Sequence, residues 1–267
     1  MELILACLAT GALAGITAGL FGVGGGLIIV PALALLLPGL GIAGDTVMQI
    51  AIGTSLAVIS ATAVSSSLAH HRRDGIRWPV FVQLGPGLAL GALLGAALAH
   101  RLDGDTLRIV VGVGALAVAA KMALGTTPPV RDRVRGGWQL MIPAGGVIGT
   151  LSALIGIGGG SLTVPLLSFC GVPMRQAVGT SSACGIPIAW AGAAGMVIAG
   201  WNLPGLPPGN FGYVSAPGFL AIAASSVLLA PLGARLAHAL PQVQLKRAFA
   251  LLLLLIGLRM LWTGLNA

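Results

Sequence analysis

Polar residues along this chain are sparse and clustered, and continuous apolar runs fill the stretches between them. The runs cover 3–21, 27–38, 49–69, 79–99 and 107–124, then 138–155, 161–171, 177–200, 213–237 and 246–264. Most are near the ~18–20 residues that a helix needs to cross a bilayer. Barrel strands would instead alternate apolar and polar residues over about ten positions. The pattern therefore predicts an all-α polytopic membrane protein. The second run in each half is short. At 1.5 Å per residue it extends roughly 17 Å, against a hydrocarbon core of about 30 Å. Each short run is thus part of a broken helix or of a hairpin that dips into the membrane.

The runs carry motifs that occur twice in the same order. Gly22-Val23-Gly24-Gly25-Gly26 returns as Gly156-Ile157-Gly158-Gly159-Gly160, with Pro31 and Pro165 following at the same distance. Ala51-Ile52-Gly53-Thr54-Ser55 returns as Ala177-Val178-Gly179-Thr180-Ser181, and the stretch ending at His100 returns as the one ending at His238. This order predicts two membrane repeats, 1–124 and 138–267, each of about four long helices and one short or re-entrant one. They are joined by a linker, 125–137, that holds Pro128, Pro129, Arg131, Asp132, Arg133 and Arg135. Most Lys and Arg residues fall in 70–78, 125–137, 171–176 and 238–247. Placing all four on the cytoplasmic side satisfies the positive-inside rule. Both termini and the loop 201–212 then lie outside, and the repeats are inverted relative to one another, a transporter signature.

Composition agrees and narrows the function. Charged residues make up 7% of the 267, against about 25% in soluble domains. The net charge of +8 sits in loops and at helix ends, so nucleic acid is excluded as a partner and the lipid bilayer is expected. The 42 glycines include Gly11, Gly15 and Gly19, Gly91 with Gly95, and Gly145 with Gly149, a spacing of four that lets helix backbones approach closely. Cys7, Cys170 and Cys184 form no metal-ligand or C-x-x-C pattern, so no metal and no cofactor are expected. No basic region precedes the first apolar run, which reads as a membrane segment and not a cleaved signal.

Candidate chemistry gathers at the repeated motifs. Runs of glycine let successive N–H groups converge on an anion, and a helix that starts there adds its positive end. Gly24, Gly25, Gly26, Gly158, Gly159, Gly160 and Ser161 are the first candidates for binding a small anionic substrate. Thr54, Ser55, Thr180 and Ser181 supply hydroxyls to the same cavity, with Gln49 and Gln176 one turn earlier and Arg175 at the cytoplasmic mouth. The alternative for each is helix packing or a back-bond to its own helix. No carboxylate falls inside an apolar run, which suits an anion site and argues against an Asp/Glu proton relay. Ser60, Ser65 to Ser67 and Asn210 carry no assigned role.

With Gly22–Gly26 and Pro31, Gly156–Gly160 and Pro165, and both Gly-Thr-Ser motifs in hand, the chain resembles the sulfite exporter TauE/SafE family over nearly its whole length. The resemblance implies a permease of the bacterial cytoplasmic membrane that exports sulfite or an organosulfonate. A membrane enzyme lacks the residues for it, because no His or Lys sits mid-helix beside a serine. A non-transporting scaffold subunit, or a permease for another anion or a neutral solute, is the alternative. The sequence leaves a homo-oligomer open.

Overall fold

The computed structural model describes residues 2–21, 25–40, 42, 44, 46–124, 137–206, 208–239 and 242–266. Gly24 and nearly all of the linker 125–137 lie outside them. The helices are α1 (Glu2–Phe21), α2 (Gly26–Leu36), α3 (Val47–His71), α4 (Trp78–Arg101), α5 (Gly104–Leu124), α6 (Trp138–Ile155), α7 (Gly160–Phe169), α8 (Met174–Gly200), α9 (Ala216–Ala239) and α10 (Gln242–Leu265). A small antiparallel hairpin precedes α9. Its strands β1 (Asn210–Phe211) and β2 (Val214–Ser215) pair Asn210 with Ser215 and Phe211 with Val214. Among the described residues this hairpin departs from the expected all-helical order, and it moves the start of α9 from 213 to 216.

Among the described residues, six helices (α3, α4, α5, α6, α8 and α9) contain stretches long and apolar enough to cross a membrane. Leu90, Val147, Ile198 and Leu228 point outward with nothing over them. Such a surface is at home in hydrocarbon and not in water. The chain is a multi-pass membrane protein. Its centre is α3: 83% of the residues in its most apolar stretch are buried, against 28–44% in the other five.

Glycines set the helix seams. A Cβ on Gly87, Gly91 or Gly149 would overlap a backbone oxygen across the α4–α6 contact, at Ile142, Gly146 and Leu88. Gly11, Gly15 and Gly233 do the same across α1 and α9, against Ile222, Ser226 and Ile16. Gly112 and Gly257 join α5 to α10. Lipid supplies no hydrophobic drive between helices, so close backbone approach is the main source of packing energy at such seams. The pairings have a pattern: exchanging α1–α5 for α6–α10 in order turns α1–α9 into α6–α4 and α3–α9 into α8–α4, and leaves α3–α8 and α5–α10 as they are.

The connection between α4 and α5 is short and capped. Asp103 opens α5 by accepting from the Thr106 N–H at 2.9 Å and from its hydroxyl at 2.7 Å. These bonds hold its carboxyl below the usual carboxylate value.

Candidate functional site

The two short helices start in the same unusual way. Gly25 (φ 73°, ψ −10°) precedes α2 and Gly159 (φ 74°, ψ −9°) precedes α7, both in the left-handed region. A side chain there costs about 1–2 kcal/mol. The two starts meet. A Cβ on Gly26 would overlap Gly156 O and lie 2.8 Å from Ile157 Cα. The Ser55 hydroxyl donates to the same Gly156 carbonyl at 2.8 Å. From this meeting point α2 leads to the start of α3, and α7 leads to the start of α8.

Both of those long helices start beneath a loop from elsewhere in the chain. On α3, Gly53 lies against the backbone of Tyr213, and Thr54 Oγ1 accepts from the Ser215 N–H at 2.9 Å. Gln49 Nε2 donates to Leu102 O at 2.8 Å. On α8, Gly179 lies against the backbone of Gly75, and Thr180 Oγ1 accepts from the Arg77 N–H at 2.9 Å. Gln176 Oε1 accepts from Arg77 Nε at 2.8 Å. The first loop is the hairpin before α9, and the second is 72–77, which leaves the far end of α3. The two fastenings therefore sit at opposite ends of α3.

These contacts place the residues singled out by sequence. Gly25, Gly26, Gly158, Gly159, Gly160 and Ser161 gather where the short helices begin, with Ser55 beside them. Thr54, Thr180, Gln49 and Gln176 are engaged by loops at the two ends. Ser181 gives a hydrogen bond to Val178 O at 2.8 Å, and Arg175 is exposed, with Nη2 3.0 Å from Arg73 O. His100 Nδ1 lies 3.0 Å from the Tyr213 hydroxyl, and burial pushes that phenol above its usual value.

A cavity about the size of one water molecule lies between α3 and α8 beside Gly158. Thr62, Ser66 and Ser182 line it. The hydroxyls of Ser66 and Ser182 are 3.2 Å apart, and that of Thr62 is 3.1 Å from that of Ser226. Of these, Ser182 directly follows the Gly179-Thr180-Ser181 motif, whereas Ser66 and Thr62 belong to no motif that the sequence marks. Thr62 and Ser66 stand one turn apart on α3, the most buried of the long helices, and Ser182 faces them from α8. No Asp, Glu, Lys or Arg among the described residues is buried, so the interior offers hydroxyls, backbone dipoles and the side chains of Gln49 and His70.

The family model described as "Sulfite exporter TauE/SafE" matches residues 7–260. A "probable membrane transporter protein" of Haemophilus influenzae is 36% identical over 260 residues, covering 96% of this chain and 97% of the relative. The chain belongs to the sulfite exporter TauE/SafE family. Other relatives bear the same description. One from Methanocaldococcus jannaschii is 29% identical over 253 residues, 94% of this chain and 92% of its own. One from Bacillus subtilis is 25% identical over 256 residues, 94% and 97%. Membership makes this TauE/SafE protein a membrane transporter and not an enzyme. Among its described residues no group of three metal-type ligands occurs. What a TauE/SafE transporter needs from the geometry above is a substrate position and a barrier on each side of it.

Proposed function

We propose that the chain exports a small sulfur-containing anion, such as sulfite or an organosulfonate, across the bacterial cytoplasmic membrane by alternating access. The halves 1–124 and 138–267 act as inverted repeats, with the linker 125–137 on the cytoplasmic side. The observation that carries this reading is the pair of matched fastenings, Thr54 with Ser215 and Thr180 with Arg77, at opposite ends of α3. Each joins a helix of one half to a loop of the other. Releasing one while the other holds opens the centre to one side only. With both fastened, and with the cavity beside Gly158 no larger than a water molecule, this conformation corresponds to the occluded one. The substrate sits where the short helices begin, among Gly25, Gly26, Gly158, Gly159, Gly160 and Ser161, where helix N-termini favour an anion. The family description supports the substrate, and the absence of buried carboxylates among the described residues agrees with it.

Purified protein reconstituted in liposomes tests this. Radiolabelled sulfite should equilibrate faster than in empty vesicles, and millimolar sulfite should raise the melting temperature in detergent by mass action. Failure of sulfite, thiosulfate, methanesulfonate and sulfoacetate to do either overturns the reading.

A further inference from the structure

The start of α7 differs from that of α2 in one chemical respect. The register that aligns Gly25 with Gly159 and Pro31 with Pro165 sets Ala18, Leu27 and Ile29 opposite Ser152, Ser161 and Thr163. Three apolar positions of the first half are hydroxyls in the second. Ser152 and Thr163 are fully buried, and Ser161 is 9% exposed. The oxygens of all three have no hydrogen-bond partner among the described residues. Ser152 Oγ and Thr163 Oγ1 lie 3.2 and 3.6 Å from the point that a Cβ on Gly159 would occupy, so they converge on the residue that caps α7. The first intrahelical bonds of α7 are given by Leu162 and Thr163 to Gly159 O, so the N–H groups of Gly160 and Ser161 lie ahead of them. A membrane helix seldom keeps one buried hydroxyl without a partner, because Ser and Thr readily bond back to their own helix. Three at one helix start, in a chain whose other half fills those positions with apolar groups, point to a ligand.

Resting on the transport reading above, we infer that the anion site is one-sided. The hydroxyls of Ser152, Ser161 and Thr163, with the first N–H groups of α7, receive the oxygens of one singly charged oxyanion head. The start of α2 supplies an apolar wall. Three hydroxyl donors match the three oxygens of a sulfonate or hydrogen sulfite better than the two of a carboxylate. With no buried cation nearby, a doubly charged anion such as sulfate would lose more hydration than these donors return. Ile188 packs on Gly159 in the occluded conformation, and its side chain turns away when the site fills.

The test uses the full-length protein in detergent, with sulfite, methanesulfonate, sulfate and acetate as probes in thermal shift and calorimetry, and with flux in liposomes measured alongside. Thr163→Val should weaken methanesulfonate and sulfite binding about tenfold or more, and Thr163→Ser should restore it. The same Thr163→Val change should raise the melting temperature of the ligand-free protein, because it removes a buried hydroxyl that has no partner. A purely structural hydroxyl would move that temperature down. Binding of methanesulfonate as well as sulfite assigns the head group alone to the site, and binding of sulfite only assigns free hydrogen sulfite. If wild type carries a sulfur anion but Thr163→Val and Ser152→Ala bind it unchanged, the site is overturned and the transport reading stands. A fall in ligand-free stability, or failure of Thr163→Val to fold, overturns the site as well, as does tighter binding of sulfate than of methanesulfonate. If wild type neither binds nor carries any of the anions, both fall together.

Discussion

Gly179→Leu will leave the protein open on the face that carries the 72–77 loop, with transport at least about tenfold down. A Cβ at Gly179 would overlap Gly75 O and lie 2.8 Å from its carbonyl carbon, so the loop cannot seat and Arg77 loses its bond to Thr180. Overpacking of this kind costs about 1–3 kcal/mol. It falls on the closed state alone, so it shifts the population toward opening at that end by roughly 5- to 150-fold. The chain contains a reporter for this. Cys184 on α8 is fully buried, between Ser182 and Gly185 in sequence, both of which line the hydroxyl-lined cavity. In a background with Cys7→Ala and Cys170→Ala, a membrane-impermeant maleimide should ignore the parent and label Gly179→Leu from the 72–77 face. Gly53→Leu, whose Cβ would overlap Tyr213 O, should open the opposite face. Labelling of both variants from the same side, or normal flux in either, would contradict two alternating barriers.

The second large effect is on stability. Gly26→Val should lower stability by about 3 kcal/mol and the melting temperature by roughly 6–12 °C. At this position the added carbon meets backbone on the far side, Gly156 O and Ile157 Cα, and also Ile59 Cδ1. Backbone cannot rotate out of the way as a side chain can, and Gly156 is itself fixed in the left-handed region at φ 74°. The contrast is Gly39, where a Cβ would meet nothing within 4 Å and the same substitution should leave melting unchanged. Equal melting of Gly26→Val and the parent would mean that the two short helices do not need to touch.

Much of the architecture was legible because membrane helices announce themselves by length and apolarity. The short runs after each glycine cluster do form short helices, and the glycine spacing does mark seams such as α4–α6. The hairpin 210–215 was not legible. It consists of two-residue strands, and what fixes it is not local pattern but the Thr54 hydroxyl on Ser215 and the fit of Gly53 against Tyr213. The Gly-Thr-Ser repeats were visible as repeats, yet their chemistry depended on what packs above them. Thr54 and Thr180, expected at a cavity, accept from loop N–H groups, and Gln49 and Gln176 go to loop partners too. Ser152 and Thr163 went unnoticed because a lone hydroxyl in an apolar helix looks like a packing residue. Only a position-by-position comparison of the two halves makes Ala18 against Ser152 and Ile29 against Thr163 stand out.

The seam between α1 and α9 also sets an order of events during synthesis. Nearly two hundred residues separate Phe21 from Ala216, so the close-packing face of α1, with Gly11 and Gly15, is made long before its partner exists. At a synthesis rate of about 5–20 residues per second that wait is roughly 10–40 s. During it α1 can only face lipid or a chaperone of the insertion machinery, and α4 waits similarly, though more briefly, for α6. The first half of this transporter must therefore survive in the bilayer as an unfinished bundle, and the last long helices to emerge complete seams that the first ones left open.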